Sequence, residues 1–179
     1  MMGRMAAFDL DALTTHPLDF QLWGAPVLFW SRDVLRETTD WLTEHTYKVV
    51  TLSASRWGEA SRMHDDIAAA LGFPSYYGRN LDALNECMWD VACGAYGSPL
   101  SATGLVLVLT EFDQFARDDH ATALKVLDIF GGQAMTGMKF GRRVLFLVQS
   151  DDPDLVLGPI GAMPVLWNGR EYLNSTRHP

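Results

Sequence analysis

The chain has 179 residues, of which 48% are hydrophobic and 20% are charged, as in an ordinary globular domain. Its net charge of −8 argues against direct binding to nucleic acid, because domains that bind the phosphate backbone are usually basic. No apolar run reaches the roughly 18 residues of a membrane span, and the first residues lack a secretory signal, so we expect a cytoplasmic protein without membrane contact.

The first half of the chain alternates short apolar segments with amphipathic ones. Ser31 is a favourable N-cap for the residues that follow it, where apolar side chains recur at helical spacing. Gly72 and Pro74 end a second amphipathic segment. After an irregular arm at 1–25, the patterns predict strand 26–30, helix 31–45, strand 47–52, helix 59–72 and helix 79–93.

The second half contains two continuous apolar runs, 104–112 and 142–150, of the kind that form strands buried on both faces of a sheet. Between them, residues 118–131 predict a helix with acids in its first turn. The pair Gly131-Gly132 predicts the end of that helix rather than a phosphate-binding loop.

Buried strands that alternate with helices predict an α/β fold, in which a small parallel sheet is flanked by helices. Near the C-terminus, Asn168-Gly169 lies between apolar runs, which predicts an antiparallel β-hairpin over 164–173. No shift in composition marks a second domain, so we expect residues 1–179 to form a single domain.

The chain contains none of the common phosphate-binding, zinc-protease or serine-hydrolase motifs. His64 with its neighbours Asp65 and Asp66 fits a solvated helix face better than a catalytic site. The DDPD segment at 151–154 follows a predicted strand, where α/β proteins often bind ligands, but a capped polar loop fits it better than a cation site. We therefore expect neither a metal nor a cofactor, and we expect the two cysteines to be reduced thiols.

The predicted helix 79–93 has two different faces when its residues are placed at 100° intervals. The opposite face from the core carries Asp82, Glu86 and Asp90, with Trp89 at its flank. Asn85 lies between Trp89 and the edge of the core face. The residues expected to face the core are Leu81, Leu84, Cys87, Met88, Val91 and Ala92.

The polar face is unfavourable for an isolated helix. Like charges four residues apart, as in Asp82–Glu86 and Glu86–Asp90, destabilise a helix by about 0.2–0.5 kcal/mol per pair. Trp89 also leaves apolar surface on the solvent side. An aromatic side chain ringed by charge is typical of a protein interface. An alternative stays open, because Asp82 favours the helix dipole, and the N-terminal arm or the hairpin could cover Trp89.

Residues 73–88, FPSYYGRNLDALNECM, closely resemble the barstar family of intracellular inhibitors of secreted bacterial ribonucleases. The shared pattern is P-x-YYG-x-N-x-DAL, followed by an acid two residues later and then a cysteine. The resemblance covers about 47–150 and implies a barstar-like core, a small parallel sheet flanked by helices. Residues 1–46 and 151–179 would extend this core by an N-terminal βα unit and by the C-terminal hairpin.

The resemblance also implies how the chain would bind a protein partner. In the family, the motif helix and the loop before it block the ribonuclease active site, and acidic side chains take the place of RNA phosphates. By motif position, Tyr76 would pack against the catalytic region of the nuclease. Asp82 and Glu86 would be the principal phosphate mimics. The other contacts implied are Asn80, Leu81, Asn85, Trp89 and Asp90.

Four departures from the family pattern indicate a different target nuclease. Asn85 stands where a well-known member has an aromatic residue, and Glu86 stands where it has aspartate. Arg79 replaces an acid, so the local charge is less negative. A further family acid falls at 131–134, GGQA, where this chain has none.

The leading interpretation is a non-catalytic, barstar-like inhibitor or immunity protein that blocks a basic ribonuclease or a related toxin nuclease. A second interpretation is a scaffold or regulatory module that reuses the fold, in which the arm and hairpin cover the motif helix or form a homodimer through it. A buried Trp89 would be evidence for this interpretation. A third is a small-molecule enzyme with a pocket at the strand ends, near Glu111 or Asp151.

Overall fold

The computed structural model describes residues 24–161 and 163–178, which form five strands and six helices. The strands are β1 (Val27–Phe29), β2 (Lys48–Ser53), β3 (Leu105–Thr110), β4 (Val144–Gln149) and β5 (Leu166–Trp167). The helices are α1 (Arg32–Glu44), α2 (Ala60–Leu71), α3 (Leu81–Cys93), α4 (Phe112–Asp118), α5 (His120–Lys139) and α6 (Asn174–Arg177). The predicted arm at 1–25 lies almost entirely outside the described residues.

All five strands are parallel and lie in the order β2-β3-β4-β1-β5. This order confirms the predicted α/β fold with a small parallel sheet flanked by helices. The predicted N-terminal βα unit is also confirmed, since β1 pairs with β4, with Val27 opposite Leu147, and α1 follows it. The added strand means that β4 is paired on both sides instead of forming an edge of the sheet.

Alternate side chains of the central strands enter two separate apolar cores, as the two-residue period of a strand requires. Leu107 of β3 and Phe146 of β4 pack on the side that carries α2, α3, α4 and α5. Val108 and Leu147 lie on the opposite side, where they pack with Leu35 of α1. The described chain therefore has three layers, with α1 on one face of the sheet and α2 to α5 on the other.

Helix α5 runs for 20 residues, so the prediction that it ends at Gly131-Gly132 is wrong. Glycine lowers helix stability by about 1 kcal/mol per residue relative to alanine, but tertiary packing outweighs that effect here. Phe130 and Ala134 are buried on either side of the glycine pair and hold the continuing helix in the core. No acid lies in the first turn; Asp119 is instead the N-cap and accepts a hydrogen bond from Thr122 N at 3.0 Å.

Helix α4 replaces the end of the predicted strand 104–112. Strand β3 ends at Thr110, and Glu111 then adopts a positive φ of 58°, which turns the chain into the helix. Phe112 and Phe115 of α4 are buried in the same apolar core as residues of α5 and α2. Apolar side chains in this segment therefore reflect a buried helix, which a short apolar run does not distinguish from a strand.

The predicted C-terminal β-hairpin is wrong, because β5 joins the sheet as a parallel strand beside β1. A two-residue Asn-Gly hairpin turn needs positive φ at both residues, and neither Asn168 nor Gly169 has one. Asn168 instead bonds to β1 and to the residues that follow it. Its Nδ2 donates to Leu28 O at 3.1 Å, and its main-chain carbonyl accepts a hydrogen bond from Glu171 N at 3.0 Å. These bonds turn the chain at the edge of the sheet instead of returning it along β5.

The C-terminal segment is fastened to the β1–α1 connection by a buried carboxylate. Glu171 accepts hydrogen bonds from the main-chain N–H groups of Trp30 and Ser31, at 2.9 and 2.7 Å. Arg177 lies 4.4 Å from the ring centroid of Trp167 and donates to a main-chain carbonyl of the preceding loop. The two extensions outside the family-like core thus pack against each other. Among the described helices, none combines the length and apolar character that crossing a membrane requires.

Candidate functional site

The motif helix α3 is fixed at both ends by capping. Asn80 is its N-cap, and the Asn80 Oδ1 accepts a hydrogen bond from Ala83 N at 2.9 Å. Gly94 ends the helix with a φ of 86°, a left-handed conformation that favours glycine. Asn80, a predicted partner contact, is therefore exposed at the start of the helix, but its side chain also holds the helix end.

The loop before α3 exposes one of its two tyrosines and buries the other. Tyr76, a predicted contact, is 82% exposed, whereas Tyr77 lies in the core. The hydroxyl of Tyr77 lies 2.5 Å from Nδ1 of His64 on α2, and His64 is buried as well. The prediction that His64 belongs to a solvated helix face is therefore wrong, because the imidazole anchors the loop that presents Tyr76.

Burial favours the neutral form of both members of this pair. It lowers the pKa of His64, and Arg79 lowers it further while Asp65 opposes the shift. Burial likewise raises the pKa of Tyr77. Arg79, which adopts a positive φ of 50°, donates from Nε to Asp65 Oδ1 at 2.6 Å. The charge of Arg79 is therefore matched by an acid of α2 at the entrance to α3.

The three acids of α3 differ in their bonding within the protein. Asp82 and Glu86 are exposed, and neither side chain bonds to another residue of the described chain. Asp90 is half-buried, and its Oδ2 lies 3.3 Å from the hydroxyl of Tyr96. Burial raises the pKa of Tyr96, so this hydroxyl stays protonated. Asp82 and Glu86 present their carboxylates to solvent, whereas Asp90 is engaged internally.

Leu81 and Asn85 lie on the side of α3 that faces α5. Leu81 is half-buried and packs against the core, as the apolar face predicts. Asn85 is exposed, and its Oδ1 accepts a hydrogen bond from Gln133 Nε2 of α5 at 2.8 Å. Gln133 is only 7% exposed, and its Oε1 accepts no hydrogen bond from the described residues. The motif helix is thus joined to α5 by a pair of side-chain amides.

Trp89 is 48% exposed and forms an aromatic pair with Phe140, which caps the C-terminal end of α5. The two rings meet edge to face, with their centroids 6.4 Å apart. Phe140 is itself 58% exposed. Phe140 is not predicted as a contact from the sequence, because it lies beyond the predicted end of its helix.

A groove of about 520 Å³ runs between α3 and α5. Neither Asp128 nor Lys125 is predicted as a contact, although both are exposed on the predicted helix 118–131. Only the pairing of α3 with α5 places these two charges opposite Asp82. The residues that line the groove are Leu81, Asp82, Asn85, Lys125, Asp128, Ile129 and Gly132.

Polar residues at the C-terminal ends of the strands are bonded to one another. Arg32 Nη2 contacts both carboxylate oxygens of Asp151, at 3.0 and 2.9 Å, and lies 3.9 Å from Glu111. Gln149 donates to Asp151 and accepts from the main-chain N–H of Glu111. Burial raises the pKa of Asp151, but the bonds from Arg32 and Gln149 bring it below its usual value. The two acids considered for an enzymatic pocket are therefore held in a structural network.

The DDPD segment at 151–154 is a capped polar loop, which confirms the preferred interpretation. Ser150 Oγ donates to Asp152 O at 2.8 Å, and Asp154 N donates to Asp152 Oδ1 at 2.9 Å. Within residues 24–161 and 163–178, no three His, Cys, Asp or Glu side chains are grouped so that they could hold a metal ion.

Known proteins resemble the middle of the chain. The family model for Barstar (barnase inhibitor) matches residues 47–148, which is more than half of the chain. A protein of Bacillus subtilis (strain 168), "Putative ribonuclease inhibitor YrdF", is 47% identical over 51 residues. That match covers 28% of this chain and 46% of the relative, so it spans less than half of the relative's length. The span matched by the family model lies within the range 47–150 that the motif resemblance covers.

Proposed function

The chain belongs to the barstar family, and we propose that it binds and blocks the active site of a basic ribonuclease or a related toxin nuclease. Helix α3 and the loop before it would form the contact. The observation that carries this proposal is the pair of exposed carboxylates of Asp82 and Glu86 on one face of the family's motif helix, neither of which bonds to another described residue. A nuclease active site that binds RNA is cationic, so these carboxylates match its charge.

The aromatic residues around these acids support the same proposal. Tyr76 stands exposed before the helix, and Trp89 with Phe140 forms an exposed aromatic pair at its far end. Aromatic side chains dominate the binding energy of many protein interfaces. The surface we propose therefore has an acidic centre between two aromatic ends. It consists of Tyr76, Asn80, Leu81, Asp82, Asn85, Glu86, Trp89 and Asp90, to which we add Asp128 and Phe140.

The proposed mechanism is occlusion of the nuclease site without catalysis. The net charge of −8 would speed encounter with a basic partner, and this effect would weaken as salt increases. Carboxylates that become desolvated against cationic side chains would then slow dissociation. Such a protein would serve as an immunity protein in the cytoplasm of the cell that makes the nuclease.

Binding to nucleases tests the proposal. Isothermal titration calorimetry would use barnase, other secreted bacterial ribonucleases and any nuclease encoded beside the gene. We expect a one-to-one complex with at least one of them, and we expect the substitution pair Asp82→Asn and Glu86→Gln to weaken it. If none of these nucleases binds, or if the paired variant binds as tightly as the wild type, the proposal is wrong.

The other two interpretations have less support. A scaffold that covers its motif helix would bury Trp89, yet Trp89 and Tyr76 are 48% and 82% exposed in the described chain. A catalytic pocket at the strand ends would need available carboxylates, but the Asp151 carboxylate accepts hydrogen bonds from Arg32 and Gln149, and the Glu111 carboxylate accepts one from Ser53. We further propose that the core and both extensions act as a single domain.

A further inference from the structure

Gly132 occupies an exposed position in the middle of α5, where no contact with the described residues requires glycine. A Cβ atom built at Gly132 would have no atom within 4 Å from the described residues, apart from its chain neighbours and the adjacent backbone of the same helix. By contrast, a Cβ at Gly137 of the same helix would lie 3.3 Å from the carbonyl oxygen of Arg142. Because alanine is the better helix former, an unconstrained position should favour it over glycine. Gly132 therefore weakens the isolated helix without improving its packing.

A second unfavourable feature lies beside Gly132. Gln133 is 7% exposed, and its Oε1 is buried without a hydrogen-bond donor among the described residues. Its Nε2 donates to Asn85 Oδ1, which leaves the amide nitrogen of Asn85 as the group available to a partner. Local departures from favourable structure are expected at functional sites. Gly132, Gln133 and Asn85 together point to a binding position at the middle of the α3–α5 groove.

The charge of the groove alone is a weak reason for a basic partner to bind at this position. Asp82 and Asp128 line the groove, but Lys125 lines it as well and offsets part of their charge. The distinctive features here are room next to a helix backbone and an exposed amide donor. A side-chain donor beside a glycine suits a main-chain carbonyl, since only glycine lets another backbone approach a helix closely.

We propose that a loop of the bound nuclease passes over Gly132 with its main chain in contact with α5, and that Asn85 donates a hydrogen bond to a carbonyl of that loop. This inference rests on the proposed function and identifies how the partner is recognised between the two helices. Gly132 and Asn85 thus determine specificity, in addition to the acids of α3.

The first test is Gly132→Ala, measured with any nuclease that binds the wild-type chain, barnase included. The added methyl group should raise the melting temperature, because it favours the helix. It should also weaken binding by about tenfold or more, because it occupies the space of the partner's main chain. Thr43→Ala is the matched control, an exposed helical position on α1, across the sheet from the groove. It should leave affinity unchanged.

The second test is Asn85→Asp, which adds an acid and removes the amide donor. Gln133 Nε2 can still donate to the new carboxylate, so the contact between α3 and α5 is retained. If the face acted through charge alone, this variant would bind a basic nuclease more tightly. We expect weaker binding, because a carboxylate facing a carbonyl cannot donate a hydrogen bond.

The outcomes separate this inference from the proposed function. If the wild-type chain binds a nuclease and Gly132→Ala binds it with the same affinity, the inference is wrong while the proposed function stands. The same holds if Asn85→Asp binds more tightly than the wild type. Failure of every nuclease to bind the wild-type chain would overturn both. Weaker binding by the two variants, with Thr43→Ala unaffected, supports the inference.

Discussion

The hydroxyl of Tyr77 and Nδ1 of His64 lie 2.5 Å apart in the core, while the neighbouring Tyr76 is exposed. The loop that presents Tyr76 is therefore anchored through a buried histidine of α2. Burial lowers the pKa of that histidine, so the anchor depends on a neutral imidazole. The stability of the protein and the position of its proposed binding loop are thus linked to pH.

The first prediction concerns stability in mild acid. The pKa of His64 is lower in the folded protein than its ordinary value of 6.5, so the unfolded chain binds the proton more readily. The stabilising contribution is complete above about pH 6.5 and is lost as pH falls toward the folded pKa. Urea unfolding at a series of pH values should show a decrease in this range for the wild type.

The control for this prediction is His64→Gln, which removes the titrating group but keeps a side chain that can bond to Tyr77. Its stability should change less between about pH 7 and pH 5 than that of the wild type. His120→Gln changes an exposed histidine and should preserve the wild-type slope. Equal slopes for the wild type and His64→Gln would exclude His64 as the origin of the effect.

The second prediction concerns the two exposed acids of α3. The pair Asp82→Asn and Glu86→Gln should reduce binding to a basic nuclease by about 2–5 kcal/mol, as expected when charge pairs in an interface are broken. Surface plasmon resonance at two salt concentrations would also show a weaker salt dependence of the association rate. The charge-matched control pair is Asp40→Asn and Glu44→Gln, two exposed acids of α1 on the other face of the sheet. A similar loss in both pairs would mean that only net charge matters.

The third prediction concerns the aromatic pair at the C-terminal ends of α3 and α5. Trp89→Ala should weaken nuclease binding by about 2 kcal/mol or more, as expected when a tryptophan hot spot of an interface is truncated. Phe140→Ala should weaken it as well, since Phe140 supports the Trp89 ring. Tyr172→Ala removes an aromatic residue that is 60% exposed in the C-terminal segment and should have no effect. Isothermal titration calorimetry would measure the affinity of each variant for the nuclease. An unchanged affinity for Trp89→Ala would show that Trp89 is not part of the contact surface.

The fourth prediction concerns the buried carboxylate that joins the two extensions. Glu171→Gln weakens the bonds to the N–H groups of Trp30 and Ser31 and should destabilise the protein by about 1.5–3 kcal/mol. Glu44→Gln, at an exposed position, should change stability little. Nuclease affinity of the folded Glu171→Gln protein should equal that of the wild type. If Glu171→Gln were as stable as Glu44→Gln, the contact of Glu171 with Trp30 and Ser31 would not hold the C-terminal segment.

Much of the fold can be predicted from the sequence because its signals are local. The apolar runs of β3 and β4 and the amphipathic pattern of α3 correspond closely to the elements observed. Two predictions fail where long-range contacts decide. Gly131-Gly132 does not end α5, because Phe130 and Ala134 pack in the core on both sides of it. Asn168 does not form a hairpin turn, because its side chain bonds to Leu28 of β1.

The candidate site can likewise be predicted from the sequence only in part. The exposure of Asp82, Glu86 and Trp89 follows from helical periodicity and can be predicted from one segment of the chain. The contribution of α5 cannot be predicted in this way, because Asp128, Gly132 and Phe140 lie at the candidate site only through the packing of α5 against α3. The burial of His64 also escapes prediction, because a polar residue on a helix gives no local sign of the Tyr77 hydroxyl that meets it.

The most direct test of the account is the rate of RNA hydrolysis by barnase and by any nuclease encoded beside the gene, as this protein is added in increasing amounts. We predict that the wild-type chain abolishes the activity of at least one of these nucleases at a one-to-one ratio, and that the pair Asp82→Asn and Glu86→Gln requires a large excess. Full ribonuclease activity at saturating wild-type protein, for barnase and for any nuclease encoded beside the gene, would contradict the account.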